Sequence, residues 1–150
     1  MKPKSPTNII LDSSVIAKWF FPDEEDGKIA LKIRDLFLLH EVSISAPLLI
    51  YYEINNLMRT AIKSLRINGE LAKNAYQGFL ELELISYSSR ELMALALEKA
   101  VSLDISSYDA SYIALSDYLK IPLITADQKL VDKAKSSLVQ NLETAFVQLS

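Results

Sequence analysis

Apolar positions along this chain alternate between short continuous runs and stripes spaced three and four residues apart, the signature of strands and helices taking turns. Asn8-Ile9-Ile10-Leu11-Asp12 is an apolar run ending in a polar break, which predicts a buried parallel strand. Val15, Ile16, Trp19 and Phe20 then share a helix face, and Pro22 to Gly27 reads as a polar loop. Ile29, Ala30, Ile33, Leu36 and Phe37 form a second amphipathic stripe, closed by His40. Val42 to Ala46 alternates like a strand, Pro47 suits a first helical turn, and Leu48 to Ile67 reads as one long helix ended by Asn68-Gly69. Helices are further expected over 70–82, 89–103 and 106–119 and in a short piece from Gln128, with strands at 84–87, 121–125 and 139–142. No repeat, low-complexity stretch or linker divides the chain. The pattern predicts one α/β domain over residues 1–150, with a central parallel sheet of about four or five strands flanked by helices and residues 1–7 as a flexible tail.

Composition narrows what such a domain can do. With 150 residues, 50% of them hydrophobic, the chain can bury a substantial core. No apolar run approaches the ~18 residues of a membrane span, and Met1 to Pro6 leads straight into a strand rather than a signal-peptide core. The expectation is a soluble, cytoplasmic protein with no membrane partner. The absence of cysteine excludes disulfides, thiolate zinc sites and cysteine nucleophiles. A single histidine, His40, excludes a two-histidine ribonuclease mechanism and a His-x-x-x-His zinc site, and no Gly-x-Ser-x-Gly elbow accompanies it. Gly27, Gly69 and Gly78 form no phosphate-binding loop. Any chemistry falls to carboxylates.

Four carboxylates stand out by position. Asp12 and Asp127 each follow an apolar strand, where open α/β sheets bind ligands, although either would also serve as a helix N-cap. Asp109, in Ser106-x-x-Asp109, has an equally local explanation as part of a capping box. Glu53 has none: it lies mid-helix on the apolar stripe, so its burial requires a buried cation such as Arg59 or Lys18, or a functional role. Were all four to converge, two carboxylates about 4 Å apart would repel by roughly 4 kcal/mol at a near-surface dielectric. Protonation or a divalent cation would offset this, and oxygen ligands without His or Cys select Mg²⁺ or Mn²⁺ over zinc. Such a site suits phosphodiester hydrolysis.

Taken together, these segments resemble the PIN domain family. Ile9 to Val15 with Lys18-Trp19-Phe20 is similar to its opening, and Pro47 to Glu53 matches its helical glutamate. Tyr108 to Leu115 matches its third acid, and Leu123 to Asp127 its fourth. The resemblance spans residues 8–142 and is nearest the VapC-like branch, the ribonuclease toxins of toxin–antitoxin pairs. It implies a metal-dependent endoribonuclease in which Asp12 and Asp109 contact the metal most directly and Glu53 and Asp127 complete the site. It also implies in-line attack by water, an antitoxin partner and a homodimer. Ser13 and Thr125, beside two of the acids, are candidates to position water or a ligand, and Asp104 and Asp117 to support the acids.

The charge balance sits less comfortably with an RNA substrate, since 16 basic and 19 acidic residues give −3. Setting aside the four site acids leaves 15 acidic against 16 basic, a balance of +1. Arg59, Lys63 and Arg66 recur at helical spacing beyond Glu53, and Lys18 follows Asp12, so these four are the candidate RNA contacts. Three other readings remain: an RNA-processing nuclease outside any toxin–antitoxin pair, a non-catalytic RNA- or protein-binding module, and a phosphoacceptor receiver. The receiver is contradicted because Asp12 lacks an adjacent acid and the second strand runs into Pro47. A degenerate scaffold would be expected to have lost an acid, and all four are present.

Overall fold

The first strand sets the architecture. In a computed structural model that describes residues 4–150, β1 (Thr7–Leu11) buries Ile9, Ile10 and Leu11 in succession. Successive side chains of a strand point to opposite faces, so both faces of the sheet are covered at this strand. β2 (Val42–Pro47), β3 (Ile85–Tyr87), β4 (Leu123–Thr125) and β5 (Val139–Asn141) join it in one parallel sheet of order β3-β2-β1-β4-β5. The short β3 is the most exposed strand and lies at an edge. The chain winds outward from β1 to β3, then crosses back to β4 on the other side of β1. The β1–β4 boundary is therefore the topological switch point, where ligands bind beyond the carboxyl ends of the strands. Among the described residues no helix is long and apolar enough to cross a membrane.

Helices α1 (Ser13–Phe20), α2 (Gly27–Leu38), α3 (Leu49–Lys63), α4 (Gly69–Leu80), α5 (Arg90–Leu103), α6 (Ser107–Leu119), α7 (Gln128–Ala134) and α8 (Leu142–Leu149) fill the connections and the end of the chain. Trp19 of α1 stacks on Phe37 of α2 with ring centroids 6.4 Å apart, and its indole N–H donates to the Ala30 carbonyl at 3.0 Å. The turn between these helices needs Gly27. A Cβ there would lie 2.1 Å from the Pro22 carbonyl oxygen, a backbone atom that cannot swing aside. Helix α6 packs on both β2 and β4 and also against α5. Tyr112 to Ser116 are all buried, so the middle of this helix is enclosed nearly all round, while its first turn is more open.

Several boundaries differ from the sequence expectation. Thr7 pairs with Val42, so β1 begins one residue early; residues 1–3 of the expected tail lie outside the described residues. The long helix expected to reach Ile67 stops at Lys63, because the chain turns through Leu65, whose φ is 60°. Asn68-Gly69 does not end that helix but begins α4, where the Asn68 side chain caps the Leu71 N–H at 2.8 Å. The last strand stops at Asn141, which caps the Thr144 N–H at 2.9 Å and starts the unforeseen helix α8.

Candidate active site

Asp12 ends β1 and caps α1, and a lattice of hydroxyls ties it to the end of β4. Its Oδ1 accepts from the Ser14 N–H at 3.1 Å and from the Ser14 hydroxyl; its Oδ2 accepts from Thr125 Oγ1 at 2.5 Å. The same Thr125 oxygen accepts from the Asp127 N–H at 3.0 Å, and Ser14 Oγ accepts from the Ala126 N–H at 3.0 Å. Each hydroxyl thus donates to Asp12 and accepts from the chain leading to Asp127, locking the two strand ends together across the switch point. Asp127 itself caps α7 through Oδ1 and the Lys129 N–H at 3.0 Å. The local capping explanation holds for both aspartates, and it is also what fixes their positions.

Glu53 reaches the same region from α3. It meets neither Arg59 nor Lys18; Tyr112 of α6 donates its phenol to Glu53 Oε1 at 2.6 Å. Asp109 sits in the first turn of α6, one turn before Tyr112, with its N–H held by Ser106 Oγ at 3.0 Å.

Electrostatics link the acids to one another. Burial pushes the Asp12 carboxyl up to about 6, against the hydrogen bonds from Ser14 and Thr125, and the charge of Asp109 adds to the rise. Burial likewise raises Glu53, opposed by the Tyr112 and Ser13 hydroxyls and reinforced by Asp109. Asp109 is raised by burial and by Asp127, with Ser106 opposing. Each of the other three acids therefore shares an electrostatic interaction with Asp109. Burial and the neighbouring Glu53 also raise Tyr112, which stays a phenol and remains a hydrogen-bond donor.

The donors are all oxygens, the set that suits a hard divalent cation. As the side chains stand, however, no three acidic or histidine groups among the described residues close around a common point. Both Asp12 oxygens and one Glu53 oxygen are occupied by hydroxyl donors. The site fits such an ion in donor chemistry and charge without being a closed cage.

Other expected residues are placed as follows. Thr125 bonds Asp12 directly, and Ser13 acts on Glu53. Asp104 is exposed but lines a cleft with Asp109 and Asp127. Asp117 is not brought to the acids; two turns along α6, about 12 Å from Asp109, it pairs with Lys99 of α5. The expected basic strip divides. Arg59 and Lys63 are exposed on α3, whereas Arg66 lies beyond its end, paired with Asp23 and Glu24 at 3.1 and 2.8 Å. Lys18 is buried and faces Glu24 at 3.8 Å. Ser14, Lys129 and Lys133 were not singled out by sequence, and Tyr112 suggested only a base-stacking or core aromatic, not a partner of Glu53. Ser14 stands beside Asp12 in the chain and so carried a signal. His40 precedes β2 at the amino end of the parallel strands, whereas the acids lie at their carboxyl ends.

A PIN domain family model matches residues 9–136, most of the chain and all four acids. The chain belongs to the PIN domain family. It is 28% identical over 131 residues to Ribonuclease VapC3 of Pyrobaculum aerophilum, an alignment covering 83% of this chain and 93% of that protein. The fold is similar to that of PAE2754 from Pyrobaculum aerophilum, with a TM-score of 0.67, 23% identity and coverage of 96% of this chain and 97% of the other. It is also similar to FitAcB from Neisseria gonorrhoeae, with a TM-score of 0.57, 19% identity and coverage of 90% and 98%. At those identities the two structures bear on the fold, and both fit the five-stranded parallel sheet described here.

Proposed function

We propose that this protein is a Mg²⁺- or Mn²⁺-dependent endoribonuclease and the toxin of a VapBC-type toxin–antitoxin pair. The observation that supports the reading is the charge interaction that Asp12, Glu53 and Asp127 each share with Asp109, beside the switch point of a PIN-family sheet. The similarity to a protein named Ribonuclease VapC3 supports RNA as the substrate.

In this reading Asp12 and Asp109 hold the metal, and Glu53 and Asp127 complete its surroundings directly or through water. A bound divalent ion supplies an activated water and neutralises charge on the non-bridging phosphate oxygens. The protein's own part is orientation. Thr125 and Ser14 fix both Asp12 oxygens, and Tyr112 fixes one oxygen of Glu53, so the acids are held in place before substrate arrives. Water's oxygen bonds to phosphorus as the bond from phosphorus to the 3′ oxygen breaks. The water proton leaves to solvent and the 3′ oxygen takes one up, leaving 5′-phosphate and 3′-hydroxyl ends. The substrate's 2′-hydroxyl takes no part, in keeping with a lone histidine at the opposite end of the strands from the acids.

An apolar groove of about 410 Å³ adjoins α6, with Tyr52, Met93, Leu97 and Tyr108 exposed along it. A face of this kind supports assembly as a homodimer, with the antitoxin closing the acid cleft. The deciding experiment is cleavage of a structured RNA by purified protein with Mg²⁺ or Mn²⁺, with EDTA, and with the Asp12→Asn variant. Cleavage that needs the metal and is lost in a folded variant is expected; intact RNA together with no metal-induced rise in Tm would overturn the enzyme reading.

A further inference from the structure

The acid cleft has a cationic rim on one side. A cleft of about 270 Å³ is lined by Asp109 and Asp127 together with Lys129 and Lys133 of α7. The two lysines are four residues apart and share a helix face. Lys133 Nζ donates to the Asp104 carbonyl at 2.8 Å and lies 3.9 Å from the Asp104 carboxylate, at an exposed position. Among the described residues Lys129 makes no ion pair, while its backbone N–H donates to the capping carboxylate of Asp127. Lys18, Arg66 and Lys99, by contrast, are committed to Glu24, to Asp23 and Glu24, and to Asp117.

This juxtaposition answers an electrostatic difficulty. An RNA strand approaching four carboxylates is repelled, and a bound cation relieves that only at the phosphate being cleaved. The next phosphate along the strand remains charged. We infer that Lys129 and Lys133 anchor that neighbouring phosphodiester, so that the strand enters the acid cleft across α7. The inference rests on the nuclease reading. Both lysines are positioning residues: they meet a phosphate whose bonds do not change, so they stabilise ground and transition states equally and act on KM rather than kcat.

Lys133→Gln also removes the bond to the Asp104 carbonyl at the end of α5, so Lys129→Gln, with no such bond, is the cleaner probe. The experiment has two arms. Affinity for a labelled single-stranded RNA is measured against salt in an Asp109→Asn background, and KM and kcat for cleavage of the same RNA are measured with the acids intact. Lys129→Gln is expected to flatten the slope of log affinity against log salt by ~0.7 and the double Gln variant by about twice that. KM should rise several-fold with kcat within about twofold, and Lys129→Arg should restore both slope and KM. An unchanged slope and KM in protein that still binds and cleaves RNA would overturn the lysine assignment alone. A parent that neither binds nor cleaves RNA would overturn the nuclease reading and this inference with it.

Discussion

Replacing Asp12 with asparagine should make the metal-free protein more stable while abolishing the proposed activity. Asp12 is 5% exposed, and its carboxyl is raised from 3.8 to about 6 chiefly by burial. The folded state therefore holds the proton more tightly than the unfolded state, so protonation favours folding. Ionisation costs nothing below about pH 4, an increasing amount between about pH 4 and pH 6, and the full amount above. The shift corresponds to ~3 kcal/mol above pH 6, of which roughly half is already present at pH 5. Asparagine has nearly the same shape and is as good an N-cap, so its oxygen retains the Ser14 N–H. Its amide would face Thr125 Oγ1, an oxygen able to accept once its own proton turns toward Ser14 Oγ, 3.4 Å away. Urea unfolding in EDTA at pH 5 and pH 8 reads the difference. Asp12→Asn should be the more stable at both, with the margin widening by ~1 kcal/mol or more at pH 8. Added Mg²⁺ should stabilise the wild type and not the variant, narrowing the gap. A variant less stable than the wild type by the same amount at both pH values would refute the reasoning, because the carboxylate would then serve as a favourable cap and not as a buried charge.

Tyr112→Phe removes the hydroxyl from Glu53 Oε1 and should destabilise the protein at pH 8 by about 1.5–3 kcal/mol, the usual worth of a hydrogen bond to a charged group. Because that bond favours the ionised carboxylate, its loss raises Glu53 further; the acid limb of the pH–rate profile should move to higher pH. An unchanged limb would separate Glu53 from the chemistry. Gly27→Ala should lower stability by about 1–3 kcal/mol in urea unfolding, since the added methyl meets the Pro22 backbone and must displace the start of α2. Unaltered stability would mean that the turn yields more readily than its close contact implies.

Helix boundaries were legible only where local signals agreed. The apolar stripe of α3 continues in spacing as far as Leu65, so nothing in the pattern stops the helix at Lys63. The chain nonetheless turns there, leaving Leu65 91% exposed, and Arg66 is drawn back to Asp23, Glu24 and the Phe21 ring. Asn-Gly serves at either end of a helix, and which end is decided by the side chain that finds a free N–H, here that of Leu71. The strand expected over 139–142 ran one residue too far, because Asn141 ends β5 by capping α8.

By itself the sequence determined the class of fold, its parallel core and the chemistry available: β1 and β4 as buried runs ending in acids, Glu53 on an apolar helix face, and no cysteine or second histidine. These are local properties, since burial selects residue type at the period of each element. The partners across the chain were decided by tertiary structure alone. Thr125 reaches Asp12 over 113 residues and Tyr112 reaches Glu53 over 59. Lys129 and Lys133 come beside Asp109 only because α7 follows β4 at the switch point. No periodicity encodes such meetings. They follow from the order β3-β2-β1-β4-β5, which carries segments distant in sequence to the carboxyl ends of the central strands, where their buried polar groups must find one another or go unpaired.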